Sequence, residues 1–165
     1  MAANVKAVPE GLHTITPHLV VRGGEKAIEF YKKAFGAEVK DVHKTPDGKL
    51  MHASLKIGDS TLFLADEFPG AETCASPEKL GGSCVRLNLY RENIDALFNQ
   101  AVAAGATVTM PLANQFWGDR YGQVTDPFGH SWALGQHLED VAPAEMERRA
   151  KEAFAQMSKG KGHSA

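Results

Sequence analysis

Two stretches of this chain share one hydrophobic plan. From Glu25, apolar Ala27, Ile28, Tyr31, Ala34 and Phe35 recur at helical spacing, and from Asn93 so do Ile94, Leu97, Phe98, Ala101 and Val102. Gly36 and Gly105 end the two predicted helices where a left-handed residue is favoured. Gly36-Ala37-Glu38-Val39 and Gly105-Ala106-Thr107-Val108 are equivalent, 69 positions apart. Each helix follows a β-rich run, Thr14–Arg22 or Ser83–Tyr90. After the first helix come Glu38–Lys44, Leu50–Ile57 and Ser60–Asp66, with Asp47-Gly48 and Gly58-Asp59 as turns. After the second come a strand from Thr107, then Tyr121–Thr125 and His130–Gln136, which read as a hairpin closed by the tight turn Asp126-Pro127-Phe128-Gly129. The chain is a duplicated βαβββ unit.

The fold class that follows is α+β: two tandem βαβββ modules forming a curved, cleft-enclosing mixed β-sheet with outer helices, plus a C-terminal helix. A flexible arm (1–13) precedes a single domain (14–139), made of module one (14–66), a linker (67–82) and module two (83–139). Pro143 opens the last helix (140–157), with Met146, Ala150, Ala153 and Met157 on one side, and a flexible tail (158–165) follows.

Strand alternation sorts the faces. Ile15, Leu19 and Val21 share one side of their run, and Thr16, His18 and Val20 the other. In the last run, Trp132 and Leu134 are expected under the helices, with Ser131, Ala133 and Gly135 opposite. One helix per unit cannot cover both faces of its sheet, so the inner faces are expected to curl toward each other around a cleft. That face should carry Thr16, His18, His52, Ser54, Lys56, Phe63, Cys84, Arg86 and Asn88.

Composition narrows the function classes. At 165 residues the chain can bury a core without staples, and a formal charge of −2 gives no field to gather nucleic acid or an anionic membrane. Two cysteines outside any CxxC pair, with seven scattered histidines, fit free thiols in a reducing compartment better than a disulfide framework or zinc knuckle. No apolar run is long enough to span a bilayer, and Met1–His13 lacks the apolar core of a signal peptide. A soluble, cytoplasmic protein is expected. No Gly-rich phosphate loop, nucleophile elbow or H-E-x-x-H pair is present.

Among candidate contacts Arg86 is the most informative. A guanidinium in the middle of a buried strand must be paired, with an anionic ligand or with a carboxylate such as Asp66 or Asp119. Phe116 and Trp117, in the loop Asn114–Asp119, either stack on a flat conjugated ligand or plug the end of the barrel. Asp119-Arg120 is read as an ion pair holding the hairpin, His130 as a hydrogen-bonder within it, Asp126 as the cap of its turn and Trp132 as core. His18, Asp66 and Glu67 could serve as acid or base only if the cleft brings them to one substrate.

FYKKAFGAEV, LMHASLKIGDSTLFLADE and WGDRYGQVTDPFGHSW resemble the vicinal oxygen chelate superfamily (glyoxalase I, bleomycin-resistance proteins and extradiol dioxygenases), and within it the PhnB-like branch. The resemblance covers roughly Thr14–Glu139. It implies a homodimer, with the last helix placed to contribute to the contact, and a divalent metal held by side chains of the first, fourth, fifth and eighth strands. Those positions fall on Thr16, on Phe63 or Ala65, on Cys84 and on Ala133. Only Cys84 could bind, and its other reading is a small buried hydrophobe. A relocated site would use His18, His52 and Cys84.

The leading expectation is a small-molecule binding protein without cofactor, taking an aromatic or anionic ligand through His18, His52, Phe63, Arg86, Asn88, Trp117 and Tyr121. The alternatives are a lyase, isomerase or dioxygenase using a relocated metal or acid–base groups alone, and a domain whose cleft is filled by side chains.

Overall fold

The computed structural model describes residues 6–70 and 74–160, with side chains as far as Gln156. The rest of the expected arm, linker and tail, and the Met157 side chain, lie outside the described residues. Module one is β1 (His18–Val21), α1 (Gly24–Phe35), β2 (Glu38–Lys44), β3 (Leu50–Ile57) and β4 (Ser60–Asp66). A short α2 (Pro77–Leu80) lies between the modules. Module two is β5 (Arg86–Tyr90), α3 (Ile94–Ala104), β6 (Thr107–Asn114), β7 (Asp119–Thr125) and β8 (Ser131–His137), and α4 (Pro143–Gly160) follows. Two four-stranded mixed sheets result, ordered β1-β4-β3-β2 and β5-β8-β7-β6. In each, the first pair is parallel and the others antiparallel.

Both helices form as their apolar spacing requires. Ala27, Ile28, Phe30, Tyr31, Ala34 and Phe35 of α1 are buried, and Gly36 ends the helix at φ 66°. In α3 the buried positions are Ile94, Phe98 and Ala101, and Gly105 ends it at φ 117°. The duplication reaches the helix starts. Asp66 Oδ1 accepts from the backbone N–H groups of Gly23 and Gly24, and Oδ2 from that of Leu50, fixing a negative group at the positive end of α1. At the start of α3, Gln136 Oε1 accepts from Ile94 N–H at 3.3 Å.

Three departures from the expected elements have local causes. β1 begins at His18 rather than Thr14 because Pro17 has no N–H; its carbonyl still accepts from Phe63 N–H, and pairing starts there. β5 begins at Arg86 rather than Ser83 because the Ser83 hydroxyl exchanges hydrogen bonds with the Val85 backbone and occupies groups a ladder would use. The linker contains α2, capped by the Ser76 hydroxyl with Pro77 in its first turn, a start signal legible in Ser76-Pro77-Glu78.

One core serves both modules. Leu19, Val21, Leu55 and Leu64 from the first sheet and Val124, Trp132 and Leu134 from the second pack around α1 and α3. Gln100 Nε2 donates to Lys33 O at 2.7 Å, pinning α3 to the end of α1. Asp126, 4% exposed, caps the DPFG turn as expected, with Oδ1 accepting from Phe128 and His130 N–H, both at 2.9 Å. Its Oδ2 accepts from Trp132 Nε1 at 2.9 Å and from Tyr31 OH of module one at 2.7 Å. The His130 ring does not stay within the hairpin. It reaches Val20 O of β1 at 3.1 Å, and burial, opposed by the Asp126 charge and this backbone contact, lowers its pKa.

α4 carries an ion-pair ladder, including Arg148 with Glu145 and Glu152 and Lys151 with Glu147. Arg149 ties it to Glu139 beyond β8, and Phe154 packs on Phe116 at 6.2 Å between ring centroids. No helix of the described residues is long and apolar enough to cross a membrane.

Candidate functional site

Register decides which side chains share the faces turned away from α1 and α3. In the first sheet His18 is opposite Phe63, Phe63 opposite Ser54, Ser54 opposite Asp41, and His52 opposite His43. Three of the expected residues therefore meet. The rings of His52 and Phe63 lie 4.9 Å apart edge to face, and His18 is 6.2 Å from each. The sequence reading missed Asp41 and His43. Asp41 Oδ1 lies 3.7 Å from His52 Nε2 and 3.6 Å from His43 Nε2. Alternation within β2 would not have placed them, because a register shift between Val39 and Asp41 turns that strand. Burial, and then the neighbouring His52, lowers the His18 pKa, so its neutral form is favoured.

In the second sheet Arg86 is opposite Ser131, Asn88 opposite Ala133, and Tyr90 opposite Gly135, with Gln123 and Tyr121 next across β7. Arg86 is exposed rather than buried, and neither Asp66 nor Asp119 pairs with it. Its Nε donates to Ser131 Oγ at 3.2 Å, and among the described residues its guanidinium has no carboxylate partner. The Tyr90 ring lies over Gly135, where a Cβ would come within 3.0 Å of it.

The expected Asp119–Arg120 pair is absent. The two side chains leave opposite faces of β7, and Arg120 instead makes a two-pronged pair with Asp95 of α3. Asp119, 5% exposed, is the hub of a network that the sequence reading missed. Its carboxylate accepts from Tyr90 OH at 2.7 Å, Trp117 Nε1 at 3.2 Å and His137 Nδ1 at 2.8 Å. Burial opposes its ionisation, but the hydrogen bonds outweigh this and hold its pKa below the usual value. The hydrogen bond to Asp119, with burial, pushes Tyr90 up to about 12, and hydrogen bonds to Asp119 and Asp140 raise His137. Trp117 is half-buried, pinned by this bond and set edge-on to Tyr121 at 5.5 Å.

The other acid–base candidates are occupied structurally. Asp66 holds three backbone N–H groups, and Glu67 accepts from Ser76 Oγ at 2.6 Å and pairs with Arg22. These contacts, led by the Ser76 hydrogen bond, hold Glu67 down at about 2.

The metal that the resemblance implies does not fit the residues at its positions. Phe63 and Ala133 offer no lone pair, and Ala133 is buried with Asn88 as its cross-strand neighbour. Cys84 precedes β5 and is exposed, contrary to a buried role. Nor are His18, His52 and Cys84 gathered: among the described residues no three His, Cys, Asp or Glu side chains are grouped to hold an ion.

Known proteins share this architecture. A family model, the Glyoxalase/Bleomycin resistance protein/Dioxygenase superfamily, matches residues 11–134. An uncharacterised protein of Mycobacterium bovis is 44% identical over 151 residues, which cover 89% of this chain and 94% of that one. The crystal structure of TioX from Micromonospora sp. ML1 is 25% identical with a TM-score of 0.62, covering 76% of this chain and 99% of that one. The PhnB protein of Bacillus cereus, 22% identical with a TM-score of 0.57, covers 75% of this chain and 99% of its own and shares the fold. With duplicated βαβββ modules, an open mixed-sheet fold and a match across both units, this chain belongs to the glyoxalase/bleomycin resistance protein/dioxygenase superfamily.

Proposed function

We propose that this protein binds a small, flat, anionic molecule over the open face of the second sheet, without the metal of its family. The observation that carries this reading is Arg86, anchored through Nε to Ser131 while its terminal nitrogens have no partner among the described residues. A guanidinium so held presents a fork to a carboxylate or similar group. Tyr90 and Tyr121, cross-strand neighbours of Gly135, supply aromatic surface four residues along β5 from Arg86, and Trp117 adjoins them. At about 3.3 Å per residue that separation is roughly 13 Å, which suits two or three conjugated rings with an acid at one end. Asn88 lies between and offers an amide. His18, His52 and Phe63 give the first sheet a second aromatic surface, and in a homodimer that surface is free to cover the partner's second sheet.

Titration calorimetry with biphenyl-4-carboxylate and its neutral carboxamide tests the reading. Arg86→Gln is expected to weaken the acid about tenfold and leave the amide unchanged. Equal affinity of wild type and Arg86→Gln for the acid rejects the proposal.

A second reading, an acid–base enzyme, is favoured by one observation: His18, held toward its neutral form, lies beside His52, which faces Asp41. Turnover of an aryl carboxylate panel by wild type, retained in full by both His18→Ala and His52→Ala, removes it.

A further inference from the structure

We infer that the seam between the two modules is a second binding site, for an amphipathic anion of the medium-chain carboxylate class. A cavity of about 640 Å³ lies there, walled by His13, Ile15, Thr16 and Pro17, the β3–β4 turn and β5. Its size falls among small-molecule sites, which run from about 300 to 1,000 Å³. Arg86, Trp117 and Tyr121 do not line it, and it meets the site proposed above only at Asn88 and Tyr90.

The floor is apolar. Ile57, Leu62, Leu89 and Trp132 are buried there, and Leu87 packs against the same core. The wall made by the chain before β1 is anchored at both ends: Thr61 Oγ1 donates to Gly11 O at 2.8 Å, and Phe63 N–H donates to Pro17 O at 2.9 Å. Ile15, 83% exposed, stands at the rim and gives a tail further apolar surface.

Among the described residues the mouth carries one unpaired cation, Arg91. The Arg91 guanidinium packs over Gly58, close enough that a Cβ there would lie 3.1 Å from Nη1, and Gly58 has a φ of +63°. Among the described residues Arg91 has no carboxylate partner. Asp59, the acid of the same turn, accepts from Ser60 Oγ at 3.0 Å, and His13, Asn88 and Tyr90 complete the polar lining. An apolar trough with a single free guanidinium at its edge recognises an apolar tail carrying one anionic head.

The experiment is calorimetric titration of the full chain with octanoate and with octan-1-ol, alongside methyl NMR, for wild type, Arg91→Gln and Arg86→Gln. Octanoate is expected to bind saturably and to shift the methyl resonances of Leu62, Leu87 and Leu89. Arg91→Gln should weaken octanoate about tenfold without changing octan-1-ol, and Arg86→Gln should change neither. No saturable octanoate binding, shifts confined to other residues, or octanoate affinity indifferent to Arg91→Gln overturns the inference. So do shifts at these leucines that follow protein concentration but not octanoate, because a second copy then fills the seam.

Discussion

Tyr31 of α1 donates its phenol proton to Asp126 Oδ2 at 2.7 Å, joining the helix of one module to the hairpin turn of the other. Tyr31 is fully buried, and burial, reinforced by the Asp126 charge, drives its pKa well above the usual tyrosine value. The Asp126 carboxylate takes four hydrogen bonds and is almost wholly shielded from solvent. Removing the carboxylate strands two buried side-chain donors at once, while removing the phenol hydroxyl costs the carboxylate one of its four partners. Asp126→Ala is expected to lower unfolding free energy by about 3–5 kcal/mol and Tyr31→Phe by about 1–2 kcal/mol. Urea unfolding checks this, and a Tyr31→Phe variant as stable as wild type would show that the bond between modules contributes nothing.

Two histidines are expected to titrate on opposite sides of the ordinary value. His137 is raised by its hydrogen bonds to Asp119 and Asp140, so its stabilising contribution is complete below about 6.5 and is lost as pH rises through the higher folded-state pKa. His18 is lowered by burial and by His52, so its contribution is present above about 6.5 and is lost as pH falls through the lower folded-state pKa. Imidazole proton shifts followed by NMR against pH should place His137 above His18. Asp119→Asn should bring His137 down without moving His18; an unmoved His137 would disprove the role given to Asp119.

Gly118 is expected to tolerate no side chain. Its φ is +95°, and a Cβ would sit 2.2 Å from Glu139 O, with the Gly118 carbonyl accepting from the N–H groups of Leu138 and Glu139. The turn that carries Trp117 is thereby fastened to the end of β8. Gly118→Ala combines left-handed backbone with overlap against a fixed carbonyl, and a loss of about 2 kcal/mol or more follows. Thermal unfolding measures it, and because the turn would shift, the Trp117 fluorescence should change as well. A neutral substitution would mean that the turn is free to move.

The strand β2 shows how far sequence reading carries and where it stops. Its bounds, Glu38–Lys44, follow from a β-rich run between a helix-ending glycine and the Asp47-Gly48 turn. Its pairing does not, because register shifts at both ends alter which side chains stand beside Ser54 and His52. The same holds for Asp119. Residue order suggests Arg120 as its partner, yet neighbours in a strand face opposite ways, and its actual partners come from β5, β8 and the preceding turn.

The sequence by itself determined the duplicated unit, the helix ends at Gly36 and Gly105, the DPFG cap and the burial of Trp132, because each depends on periodicity or on groups a few residues apart. Tertiary structure alone decided that Arg86 is exposed, that His130 and Tyr31 stitch the modules together, and that the edge of β5 opens onto a cavity. Those outcomes depend on how two modules dock, and docking is set by packing between residues tens of positions apart that no local pattern encodes.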